Sequence, residues 1–477
     1  MADDEYELLP SYDDHDSEPG QVRRQVKFSS LRLVRRGIRR HPTVILLSSL
    51  TLVLLAAAFL AYDVAYLKAR LSLAGSYNAF LTHLWPVGLP NRTDVWENEN
   101  SKAMHALMSC MSTDDCKENQ DSIVLLSSHH FAEAIIGHVS GEDIWATSVL
   151  DAVRELGYTP IFTTNNEELA RTYRQYPDLV KVVILEAAAA ESCFSDTKCI
   201  KTTNHPLGIP AWKMFSFHFW AGNGNPLGNA WTLSPENWPV ISPDNSRDNF
   251  YLGYSIEKTC LQIPITPNEQ RPRQAYVLAK ETRYFFDKEY AWPTLAFDAA
   301  PIDVELIAGI SRHNPPPMDT LPKGIADVGK LNKTQFYEHL GRSRVTLVGI
   351  GRPVLSPSPY DALCMGVPFI NPVLSWDAKR PENRTLWLTQ HDGLKYQNPP
   401  YVYHVKKGDV NGFWEALRTA VKTPIERYII PDMTMKAVEE RLVKLIEGNW
   451  KEKAEALLNK RKIAAAKGKG KIKLFDL

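Results

Sequence analysis

The sequence predicts an α/β protein of two halves behind a single membrane-spanning helix. Three observations carry this reading. Short apolar runs alternate with stretches of helical period, first from Asp121 to Leu185 and again from Gln274 to Val421. A stretch dominated by glycine, proline and asparagine, Trp212 to Asp248, separates the two series. Near the N-terminus, Thr43 to Tyr62 carries no charge at all.

That uncharged run, TVILLSSLTLVLLAAAFLAY, reaches about 30 Å as a helix, the thickness of a bilayer's hydrocarbon core. A cleavable signal peptide fits less well, because the polar residues 1–42 precede it. Arg32, Arg35, Arg36, Arg39 and Arg40 lie just before the run, and only Lys68 and Arg70 just after it, beside Asp63. Positive charge stays cytosolic, which places residues 1–42 inside and the body in a lumen or outside the cell. The sequons at Asn91, Asn332 and Asn383 all follow the span, as do all six cysteines. Cys110 and Cys116, and Cys193 and Cys199, are close pairs. In an oxidising compartment they suggest two short-loop disulfides, with Cys260 and Cys364 left over for a third. No histidine sits at ligand spacing beside these cysteines, so no metal site is expected.

The chain has 477 residues, more than one ordinary core holds. Lys+Arg and Asp+Glu both number 55, so no nucleic-acid partner is indicated. After a polar stem over 63–119, Asp121–Ser127 reads as a buried strand and Asp143–Leu156 as a helix stopped by Gly157. TPIFTT is a strand, Glu167–Tyr176 a helix and Val180–Leu185 a strand. The tryptophan-bearing middle reads as structured loops. Gln274–Lys280 and Val304–Gly309 then read as strands, Asn332–Arg342 as a helix and Val345–Ile350 as a strand. A short helix from Tyr360 to Met365 precedes the strand PFINPV. Trp414–Val421 and Met435–Leu458 are helical, and the basic end after Arg461 reads as disordered.

The loop GIGRPVLSPSPYDALCMGVPFINP lies between two of these strands. Gly349 and Gly351 let backbone turn and approach a ligand, and Pro353, Pro357 and Pro359 stiffen it. Ser356 and Ser358 offer hydroxyls, and the helix that follows turns its free N–H groups into the loop. Asp361 sits in its first turn, where a carboxylate can accept bonds from a ribose. A proline-stiffened surface loop explains the composition equally well.

This segment resembles the nucleotide-sugar loop of the family 18 glycosyltransferases, the α-1,6-mannosylglycoprotein 6-β-N-acetylglucosaminyltransferases. Val348, Gly349, Gly351, Pro353, Pro357, Pro359, Asp361, Ala362, Gly366, Phe369, Asn371 and Pro372 match its pattern. A second block, NAWTLSPENWPVISPDNSRDNFYLGYSIE, matches at Trp231, Leu233, Pro235, Pro243, Asp244, Asn245, Leu252, Gly253 and Glu257. The resemblance implies a GT-B architecture, two Rossmann-like domains facing a cleft; the strand–helix alternation sets their bounds at 120–265 and 266–460, and composition sets a basic tail over 461–477. It implies UDP-N-acetylglucosamine as donor, an N-glycan mannose as acceptor, β-1,6 linkage, inversion, no metal cofactor and a type II place in the Golgi membrane.

Inverting transfer needs a carboxylate to take the acceptor's proton and positive charge near the leaving diphosphate. By resemblance Glu142 in SGEDIW is the base, with Asp143 the alternative. Lys280 faces the diphosphate, and Asp361 takes the place of a family glutamate at the ribose. Leu355 stands where the family usually carries an acidic residue. A related transferase using another nucleotide sugar, and a lumenal binding protein without catalysis, remain as alternative readings.

Overall fold

The computed structural model describes residues 42–85, 95–138, 140–220, 222, 224–243, 248–293, 295–298, 301, 303–311, 320–342, 345–352, 354–468 and 472–477. Asn91, Pro353, Asp244 and Asn245 therefore lie outside the described residues, as does the tail before the span. The chain divides into two compact units, 1–77 and 78–477.

In the first, helix α1 (Pro42–Leu84) starts one residue before the predicted span and runs on into the second unit. Leu47–Ala69 within it has a mean hydropathy of 2.0 and no buried residue, and is long and apolar enough to cross a membrane. The helix passes the expected end at Tyr62 because neither proline nor a glycine pair interrupts the sequence there.

The second unit holds two lobes, and the predicted alternation is present in both. In the first lobe, α2 (Val95–Thr113) precedes β1 (Ile123–Ser127), α3 (His129–Ile135), α4 (Gly141–Glu155) and β2 (Thr159–Phe162). Then come α5 (Asn166–Gln175), β3 (Val180–Glu186), α6 (Ala187–Ser195), β4 (Met214–Phe217), β5 (Thr232–Ser234) and β6 (Phe250–Tyr251). The six strands pair in the order β2-β1-β3-β4-β5-β6, all parallel. Their near-continuous apolar sequence follows from burial on both faces.

Two expectations are corrected here. The stem is not wholly outside the fold, because α2 buries Met104, Leu107 and Cys110 in the lobe. Asn100 on α2 also closes the open edge of β2, accepting from the Phe162 N–H and donating to its carbonyl, both at 2.7 Å. The middle stretch, read as loops, supplies β4 and β5; its glycines and prolines masked two very short strands.

The second lobe begins with β7 (Gln274–Val277), β8 (Glu305–Ala308), β9 (Ile325–Asp327), α7 (Lys333–Arg342) and β10 (Val345–Val348). It continues with α8 (Ser358–Cys364), β11 (Phe369–Ser375), β12 (Leu388–Thr389), β13 (Val402–Lys406) and α9 (Val410–Lys422). Its sheet runs β12-β11-β10-β7-β8-β9, with β13 also paired to β11 and only β12 antiparallel. Two parallel, helix-flanked sheets make the architecture GT-B.

The chain then returns to the first lobe. α10 (Met435–Ile446) packs on α4, and α11 (Trp450–Ala466) sets Trp450 against Phe215, Trp231 and Phe250. The predicted single helix from Met435 to Leu458 is broken at Gly448. The predicted disordered tail is also corrected. α11 extends to Ala466, Phe475 is buried against Phe194, and Asp476 accepts from the Thr203 N–H at 2.7 Å. A domain boundary at 460 therefore misplaces these elements. All six cysteines are paired: Cys110–Cys116, Cys193–Cys199 and Cys260–Cys364.

Candidate active site

In each sheet the strand order reverses direction once, between β1 and β3 in the first lobe and between β7 and β10 in the second. Loops leaving the carboxyl ends of strands diverge at such points and leave a crevice. A cavity of about 660 Å³ lies there, between the lobes. Gly137, His138, Ser140 and Gly141, between β1 and α4, form one wall; Lys280, Ser356, Ser358 and Asp361 help form the other.

The loop after β10 divides its labour differently from the expectation. Ser356, Pro357, Ser358 and Asp361 line the cavity, whereas Gly349 and Gly351 do not. Gly349 is a packing glycine: a Cβ there would lie 2.5 Å from Pro372 Cδ and 2.6 Å from the Ile370 carbonyl. Gly351 has φ 103°, and its N–H donates to Gln390 Oε1 at 2.7 Å. Leu355 is buried, with φ 60°, and packs against Trp238 and Ile241. That left-handed turn costs about 1–2 kcal/mol for a residue with a Cβ. It drives the Leu355 side chain out of the cavity and into the lobe interface.

Asp361 is 4% exposed and accepts the Tyr337 hydroxyl at 2.6 Å. Burial pushes its carboxyl up to about 6, although the Tyr337 bond and Lys333 pull the other way. Lys280 follows β7 and is exposed on the cavity wall. Asn332 also lines the cavity, where it caps α7 by accepting from the Gln335 N–H at 3.0 Å. Asn383 is half-buried, and its Oδ1 accepts from the Thr385 N–H and hydroxyl.

Glu142 lies half-buried in the first turn of α4, between the cavity-lining Gly141 and Ile144 but not itself lining the cavity. The alternative, Asp143, is fully buried and committed. With Ser140 it forms a capping box, and it also accepts from His130 Nδ1 at 2.7 Å and His138 Nδ1 at 2.6 Å. Burial alone would raise its carboxyl, but these bonds outweigh it and hold it at about 2. Trp145, stacked on Phe217 at 3.7 Å, anchors the same turn.

Glu133, His138 and Asp143 place ligand-type atoms within 4.8 Å of one another, as do His129, His130 and Glu133. Two ligands on one zinc ion with bonds of about 2.0–2.1 Å stand about 3.3 Å apart. The nitrogen–oxygen distances to Asp143, 2.7 and 2.6 Å, are instead those of direct hydrogen bonds.

Sequence reasoning passed over a second buried cluster at the lobe interface. Glu236, from the first lobe, is 3% exposed, and the Tyr360 hydroxyl of α8 lies 3.1 and 3.0 Å from its two oxygens. Burial pushes Glu236 up to about 8 and drops the adjacent His391 to about 3, so both are largely neutral near pH 7. Room for Glu236 depends on Gly393, where a Cβ would lie 2.0 Å from Oε2. The histidine cluster had a readable signal, the Ser-x-x-Asp capping spacing of Ser140 and Asp143; the Glu236 pairing spans 124 residues and had none.

The alpha-1,6-mannosylglycoprotein 6-beta-N-acetylglucosaminyltransferases A of Cricetulus griseus and Homo sapiens are each 24% identical over 241 residues, covering 47% of this chain and 30% of theirs. The corresponding Caenorhabditis elegans enzyme is 23% identical over 244 residues, 48% of this chain and 33% of its own. The match thus spans about a third of those relatives' length. A solved sucrose-phosphate synthase from Thermosynechococcus elongatus is 12% identical with a TM-score of 0.38, over 72% of this chain and 100% of that one. The sequence model of glycosyltransferase family 18 matches residues 135–454, which take in β2 to β13, the cavity and both motif blocks, and the chain belongs to that family.

Proposed function

We propose that this protein transfers N-acetylglucosamine from UDP-N-acetylglucosamine to a mannose of an N-glycan, in β-1,6 linkage, with inversion and without a metal cofactor. The observation that carries the reading is the cavity at both sheets' reversal points, lined by Ser356, Ser358, Asp361 and Lys280. In this reading Asp361 accepts from the ribose and Lys280 faces the diphosphate. Gly349 and Gly351 hold the loop's shape around Gln390. Glu142 takes the proton of the attacking hydroxyl. Asp143 is poorly suited to that role, because a carboxylate held at about 2 is a weak base. Residues 1–42 face the cytosol, α1 anchors the chain, and the body works in the Golgi lumen; the three disulfides fit an oxidising compartment.

The test is UDP release by the detergent-solubilised full chain with this donor, an N-glycan acceptor and a chelator. Acceptor-dependent release that falls at least a hundredfold in Glu142→Gln supports the reading. Release only from another nucleotide sugar redirects the donor assignment, and tight donor binding without turnover favours a non-catalytic binding protein.

A further inference from the structure

We propose that His138 is a cationic contact for the donor's diphosphate, held on the first-lobe wall of the cavity by the buried Asp143. This rests on the transferase reading above and adds a group that neither the sequence pattern nor the family match assigns. His138 stands between α3 and α4, lines the cavity and has a side chain 60% exposed. Its Nδ1 is 2.6 Å from Asp143 Oδ2 and 3.5 Å from Glu133 Oε2. Asp143 has no exposed surface; His130 Nδ1 takes its other oxygen, and the Ser140 N–H reaches Oδ2 at 2.6 Å.

An ionised carboxylate only accepts, so His138 Nδ1 carries a proton and points it at Asp143. The other ring nitrogen, Nε2, has no partner among the described residues. The bond to Asp143 is the main reason the imidazole is raised above its usual 6.5; slight burial opposes it and the charges of Asp143 and Glu133 add to it. A proton on Nε2 is thereby favoured, and the free side of the ring becomes a cationic donor.

The surroundings give that donor a use. Glu133 on α3 and Asp143 on α4 flank His138, with Glu142 next along α4. Across the cavity stand Lys280, Lys330 and Lys333, all from the second lobe. A diphosphate between these walls meets positive charge from both lobes. As the bond between the sugar and the diphosphate breaks, its electron pair goes to the diphosphate oxygen, and a preplaced donor stabilises the charge that develops there. Glu142 remains the proton acceptor on the acceptor side.

The test is calorimetric titration of the full chain with UDP-N-acetylglucosamine, whose doubly esterified diphosphate does not titrate between pH 6.5 and 8.5. Parent, His138→Gln and His138→Lys are compared at each pH, because Asp361 adds its own pH dependence to all three. His138→Gln should bind about tenfold more weakly at pH 6.5, the loss of one charge-assisted hydrogen bond. The gap should narrow at pH 8.5, and His138→Lys should restore binding at both values. Equal affinity of parent and His138→Gln at pH 6.5 overturns the assignment of His138 alone. A parent that does not bind this donor removes the donor reading itself, and the inference with it.

Discussion

The Tyr360 hydroxyl lies within 3.1 Å of both oxygens of Glu236, joining the helix after the cavity-lining loop to the opposite lobe through a carboxyl that burial lifts to about 8. In the unfolded chain the same carboxyl titrates near 4.5. A raised folded value means that its stabilising contribution is complete below about 4.5 and is lost as pH rises through about 8. Glu236→Gln cannot ionise. Its melting temperature should match the parent's at pH 5 and exceed it by about 5 °C at pH 8.5. Equal melts at both values would show that Glu236 is not held neutral.

In the proposed reading Asp361 gives the opposite dependence, in donor binding. Ionisation strengthens the bonds its oxygens accept, so affinity for UDP-N-acetylglucosamine, whose doubly esterified diphosphate stays ionised throughout, should fall as pH drops through about 6. Tyr337→Phe removes a bond that favours ionisation and should move that midpoint upward. Asp361→Asn should weaken binding about tenfold at pH 7.5 and flatten the profile, as isothermal titration would record.

The three disulfides differ in what they enclose. Cys260–Cys364 closes a separation of 104 residues and ties the end of the first lobe to α8; the other two close six. Loop entropy assigns about 4.7 kcal/mol to the long closure and about 2.2 kcal/mol to a short one. Cys260→Ser with Cys364→Ser should therefore lower denaturant stability about twice as much as Cys193→Ser with Cys199→Ser.

Trp450 is the anchor of the returning segment, 4% exposed and in contact with three aromatic rings of the first lobe. Trp450→Ala should cost roughly 3–5 kcal/mol. Proteolysis should then open the first lobe before the second.

Strand–helix alternation was legible because strands such as Ile123–Ser127 and Val180–Glu186 are buried on both faces and so read as unbroken apolar runs. The loop after β10 was legible because serines and prolines cluster there. Its glycines shape it from behind and do not line the cavity, and the residues that require them, Pro372 and Gln390, come after them in the chain. Glu236 went unnoticed because it owes its chemistry to burial and to Tyr360, 124 residues along the chain, which a linear pattern does not record. His138 left one trace, the capping spacing of Ser140 and Asp143, but its own role depends on where the fold sets it against Asp143. The end of the chain was misread because lysine-rich composition outweighed the apolar residues that fasten it, Phe475 and Leu477.

The docking of α10 and α11 on the first lobe sets an order for synthesis. The surface formed by Phe215, Trp231 and Phe250 leaves the ribosome about two hundred residues before Trp450 arrives to cover it. The second lobe can close on itself during that interval, whereas the first waits with an aromatic face open to chaperones. The half of the protein translated earlier is thus the half completed last, and a premature stop near the C-terminus would injure the lobe that begins the fold.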